Sequence, residues 1–97
     1  MVFVRLALFR GGTAAHYARL QQVVDAGTPP PERYFFAAGP VADGWQVVQA
    51  WRSRADLDAF NEAVLAPAYA ALGGAPFPHP PTVTDFEAVE VAPPPPH

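Results

Sequence analysis

The chain has 97 residues, about half of them apolar, 15% charged, with a net charge of −3 and no cysteine. That length holds one domain with a single core; the acidic balance leaves no basic patch for nucleic acid, and the lack of cysteine removes disulfides and thiolate chemistry. All the basic residues are arginine, which beside 13 prolines reads as GC-rich coding rather than a binding surface.

Val2 to Phe9 alternates, with Val2, Val4, Leu6 and Leu8 on one side and Phe3, Ala7 and Phe9 with Arg5 on the other. A strand of an antiparallel sheet usually shows water one polar face, so two apolar faces imply that both are covered. The opening MVFVRLALFRGG is too short and too alternating for a secretory leader, and no apolar run reaches spanning length, so a cytoplasmic protein is expected. Gly11-Gly12 breaks the strand and Thr13 is placed to cap a helix from about Ala14 to Asp25, its buried stripe formed by Tyr17, Leu20 and Val24. Ala26-Gly27 and the prolines 29 to 31 stop it and make a stiff connection.

Arg33 to Ala38 predicts a second strand, Tyr34 and Phe36 on one face and Phe35 on the other. Gly39-Pro40 and Asp43-Gly44 bracket a turn, which makes this strand and Trp45 to Arg52 an antiparallel hairpin. At Ser53 the period changes: its hydroxyl can cap a helix with Asp56 in the first turn and Leu57, Phe60 and Val64 at helical spacing. The helix is expected to run out at Ala66-Pro67, with Pro67 opening a further short helix through Tyr69 and Leu72. Gly73-Gly74 ends that piece, and Ala75 to Pro81 reads as an extended surface loop. Thr82 to Val91 is the last strand, with an imperfect alternation that calls for a bulge or a half-exposed edge.

The order β-α-β-β-α-β is a ferredoxin-like split unit over residues 1–92: an α+β domain with one four-stranded antiparallel sheet and its helices on one face, followed by a proline-rich tail, 93–97. Helices cover one side. The other apolar face, of whichever parity, asks for a second copy of the sheet, so the chain is expected to be its own partner in a homodimer.

The segment VVQAWRSRADLDAFNEAVLAP, with its Trp51-x-Ser53 step leading into a helix that carries Phe60 and ends at Pro67, resembles the second half of the antibiotic-biosynthesis-monooxygenase group of dimeric α/β-barrel proteins. The resemblance implies a dimeric barrel and an apolar aromatic small-molecule substrate. It also implies cofactor-independent chemistry, since relatives in that group oxidise polycyclic phenols, cyclise polyketides or degrade haem. The haem-degrading branch needs an asparagine in the first strand and a histidine on the helix after the tryptophan; neither is present, so haem turnover is not expected.

Among residues that could carry chemistry, His16 lies at the edge of the first helix's buried stripe. It reads either as a half-exposed helix histidine or as a catalytic base at the mouth of a cavity between sheet and helices, taking a phenolic proton. Such a cavity would be lined by Tyr17, Tyr34, Phe36, Gln49, Trp51 and Phe60 as substrate-binding residues; the competing reading makes the same aromatics core, and the chain a non-catalytic binding or dimerisation module. His79, between prolines, and the terminal His97 read as solvated. Arg5, set in an apolar face, needs an acid such as Asp85 or Glu87. The histidines lack the paired spacing of metal ligands, and no phosphate-cradling or nucleotide motif occurs, so no metal, cofactor, nucleic acid or membrane partner is expected.

Overall fold

The alternation of Val2–Arg10 forms β1, and the GlyGly step after it releases the chain into α1, Ala14–Val23. The computed structural model describes residues 2–24, 29–93 and 95; the expected helix end at Asp25, the Ala26-Gly27 stop, His97 and most of the tail lie outside them. β2 (Arg33–Val41) and β3 (Gly44–Trp51) make the expected hairpin, tightened to a two-residue turn at Ala42-Asp43. Gly44 sits at φ 150°, where a Cβ would come within 2.2 Å of the Phe9 carbonyl oxygen, so this closure tolerates no side chain.

Ser53 starts α2, Arg54–Phe60, its hydroxyl accepting the Asp56 amide hydrogen. The helix does not stop at Pro67. It passes through a π-helical turn, Asn61–Leu65, straight into α3, Ala66–Ala71. In that turn the Ala66 amide reaches back five residues to the Asn61 carbonyl. Pro67, which cannot donate, follows just past this turn in the first turn of α3, and single π turns of this kind interrupt α-helices frequently at functional sites. Gly73 and Gly74, both at positive φ, then end the helix, and β4 (Thr82–Ala88) closes the sheet.

The four antiparallel strands lie in the order β2-β3-β1-β4, the arrangement of a ferredoxin-like unit, as an open sheet. β4 is therefore an edge, regular in its pairing with β1, and its poor alternation reflects exposure rather than a bulge. The irregularity lies instead in β2, where pairing steps from Arg33 opposite Trp51 to Phe35 opposite Ala50. One extra residue is absorbed there, so Arg33 and Phe36, three apart, share the face of Trp51 and Gln49.

Burial settles which face meets the helices. Phe3, Ala7, Trp45, Val47 and Trp51 are buried on the odd parity of β1 and β3, against Leu57 and Phe77. Phe77 corrects the expected surface loop, since the proline-rich segment drops this ring into the core, stacked on Phe9 at 4.3 Å. Gly12 makes room for it: a Cβ there would lie 2.8 Å from the Phe77 ring. The opposite face carries Val4, Leu6, Leu8, Val48, Phe35 and Phe86, and among the described strand residues its one charged side chain is Arg10, at the last position of β1. Phe35 and Phe86, on the two edge strands, are 54% and 49% exposed.

Candidate functional site

Between the sheet and the helices lies a cavity of about 700 Å³, within the range of small-molecule sites. Its floor is sheet: Ala7 and Phe9 of β1, Val47 and Gln49 of β3, Arg33 and Phe36 of β2. One wall is α1, through Tyr17, Leu20 and Val24; the other is the helix run through the π turn, through Phe60, Val64, Leu65 and Tyr69. Phe77 closes one end and Pro29-Pro30 border another. The lining is mostly apolar, with a few polar groups set into it, as a ligand site requires.

Four of the expected binding residues, Tyr17, Phe36, Gln49 and Phe60, come together here. Three expected residues do not line the cavity. Tyr34 occupies the bulge, which breaks the alternation that had paired it with Phe36. Trp51, 1% exposed, is packed beside the cavity on the same sheet face, under α2, against Phe3, Leu57 and Phe60, and its indole N–H donates to the Gln49 Oε1 at 2.8 Å. It therefore orients the Gln49 amide, leaving the amide N–H groups as donors.

His16 stands at the start of α1 rather than in the cavity wall. The Thr13 amide donates to its Nδ1 at 3.1 Å, while the His16 amide donates to Thr13 Oγ1 at 3.2 Å. This is a capping box with imidazole in the place usually taken by Glu or Gln. The ring meets the edge of Phe77, which closes one end of the cavity, with centroids 6.0 Å apart; His16 itself is not among the lining residues, and its Nδ1 is committed to the helix end.

Two of the lining residues outside the expected set, Arg33 and Tyr69, bring polar groups. Arg33 is brought onto the floor by the bulge, which strict alternation would have turned away, and Tyr69 is brought in by the unbroken helix. The Arg33 guanidinium lies over the rings of Phe36, Phe60 and Trp51, at 4.7, 5.7 and 6.0 Å from their centroids. Burial lowers the Arg33 pKa from its ordinary value, with Tyr17 acting the other way; arginine nonetheless stays cationic near neutrality. Burial raises the Tyr17 and Tyr69 phenols above theirs, in Tyr17 against the pull of Arg33, so both keep their protons at pH 7.

Arg5 shares the floor's parity but pairs across to the edge, donating through Nε and Nη2 to the two Asp85 carboxylate oxygens at 2.8 and 3.0 Å. Among the described residues no three His, Asp or Glu side chains gather as metal ligands would, and no helix is long and apolar enough to cross a membrane. Comparison with known proteins finds no family model, no curated protein and no solved structure that matches the chain significantly. The functional reading therefore rests on the cavity.

Proposed function

We propose that the protein binds an apolar aromatic small molecule in the cavity between sheet and helices, as one half of a homodimer joined through the largely apolar sheet face. The observation that carries this reading is the cavity itself: about 700 Å³ left open in a chain this short, floored and walled by aromatic and aliphatic side chains. A chain selected for stability alone gains by filling such a space with apolar side chains, each buried methylene contributing about 0.8 kcal/mol. The homodimer is supported by the opposite face, where Phe35 and Phe86 stand exposed among Val4, Leu6 and Val48, with a strand charge only at its end, Arg10.

A second reading, cofactor-independent oxidation, cyclisation or isomerisation of the bound molecule in the manner the Trp51-x-Ser53 resemblance suggests, is favoured by the character of the polar lining. Arg33, the Tyr17 and Tyr69 hydroxyls and the Gln49 amide can all donate, and the described lining contains no carboxylate and no imidazole. That set suits stabilisation of a developing phenolate or enolate oxygen, and the proton would have to leave to water or to the substrate itself.

The neutral fluorophore N-phenyl-1-naphthylamine tests the binding reading. The intact chain is expected to bind it at one site per protomer, and Val64→Trp, which fills the cavity from the π turn, is expected to abolish that binding while circular dichroism stays unchanged. Undiminished binding to a folded Val64→Trp chain would refute the assignment.

A further inference from the structure

We propose that the natural ligand is an aromatic acid whose anionic oxygen pairs with the guanidinium of Arg33; this rests on the cavity being a ligand site. Three observations converge. The bulge in β2 spends a residue of register to put Arg33 on the cavity floor, where regular pairing would put it on the opposite face. The guanidinium carbon lies over the rings of Phe36 and Phe60, 4.7 and 5.7 Å from their centroids, contacts that leave its N–H fork able to meet a carboxylate. Finally, the ion pairs among the described residues join Arg5 to Asp85, Arg52 to Asp56 and Arg54 to Asp58; none involves Arg33, and no carboxylate lines the cavity.

A half-buried cation with no carboxylate beside it among the described residues carries a desolvation cost, and the ring contacts offset about 0.5–2 kcal/mol of it. An anionic ligand supplies the rest. The neighbouring Tyr17 and Tyr69 phenols remain protonated and can donate to a second oxygen. The net charge of −3 gives no long-range pull on anions, so selectivity arises locally, at Arg33.

The test uses a matched pair of probes: the neutral N-phenyl-1-naphthylamine and 1-anilinonaphthalene-8-sulfonate, which keeps the two ring systems and adds an anion. Each is titrated into the full chain, and the signal counted is the part that Val64→Trp removes, which separates the cavity from the apolar sheet face. Arg33→Gln is expected to weaken the sulfonate probe by about tenfold or more and the neutral probe by less than about twofold, with Arg33→Lys between. Equal loss of both probes would show that Arg33 is packing, and no loss of either would show that it holds no anion; each overturns the proposal. Should Arg33→Gln fail to fold, a salt series on the wild type decides instead, since affinity for the sulfonate must fall with salt while that for the neutral probe holds. A salt-independent sulfonate affinity would overturn the proposal as well. If neither probe shows a Val64-sensitive signal, the cavity reading fails first, and this inference falls with it.

Discussion

Trp51 is the residue through which the fold sets the site, and its hydrogen bond to Gln49 can be measured. The indole N–H, in a side chain 1% exposed, donates to Oε1 at 2.8 Å. Gln49→Leu removes the acceptor and strands the donor where water does not reach, which costs about 1–3 kcal/mol. For a domain of this size each kcal/mol moves Tm by about 4–8 °C, so a fall of roughly 10 °C is expected. Trp51→Phe loses the same bond from the other side but leaves the glutamine oxygen next to the cavity, where water can satisfy it; its cost, of about 2 kcal/mol, comes mainly from the void under Phe60. In the double variant neither partner is stranded, so the effects should add up to less than their sum by about 1 kcal/mol. Urea unfolding at fixed protein concentration measures all four corners, with Trp45 as the fluorophore common to them. A coupling energy indistinguishable from zero, or a Gln49→Leu chain as stable as the wild type, would refute the claim that Trp51 positions Gln49.

The Arg5–Asp85 pair, with side chains 15% and 24% exposed, holds the Asp85 carboxyl below its ordinary range, chiefly through the hydrogen bonds from Arg5. A carboxyl depressed in the folded state contributes stability that is complete above its unfolded value, about 3.9, and is lost as pH falls through the folded one. Asp85→Asn should therefore cost about 1 kcal/mol at pH 7 and show a shallower loss of stability than the wild type in acid titrations below pH 4; parallel curves would count against it. On the proposed dimer face, Phe35→Asp should turn a sedimenting dimer into a monomer, and a wild type already monomeric at micromolar concentration would remove the basis of that pairing.

The order of elements was legible because its punctuation is local. Thr13 and Ser53 cap the helices they precede, and the Ala42-Asp43-Gly44 turn closes the hairpin. Features that depend on the whole were not legible. Pro67 looks like a terminator in sequence, and the π turn that precedes it leaves no local mark. The Tyr34 bulge is hidden in an unbroken apolar run, yet it decides which of Arg33, Tyr34 and Phe35 meets the cavity. Phe77 gave one overlooked signal, a lone large apolar ring within a run of prolines. His16 was legible as a residue at a helix start; what went unread was that its own helix end would engage Nδ1.

The two faces of the sheet divide their charges unevenly. An antiparallel sheet with helices on one side normally hides its apolar side chains beneath them and shows polar ones to water. In this chain Arg5, Arg33, Gln49, Asp85 and Glu87 share the helix-facing parity with the buried aromatic core, and the other parity carries, among the described strand residues, the single charge of Arg10. A polar group under a helix layer is stabilised by a partner, and Arg5 has found one in Asp85. Arg33 has stacking rings instead, and it is this unequal treatment of two arginines on one sheet face that points to the cavity side as the place of recognition. The other face, by contrast, offers mostly shape and apolar area, which suits the proposed contact with a copy of itself better than discrimination among ligands. The alternation in β1 serves both readings at once: its even residues lie on the face proposed for pairing, and its odd residues Ala7 and Phe9 line part of the cavity floor.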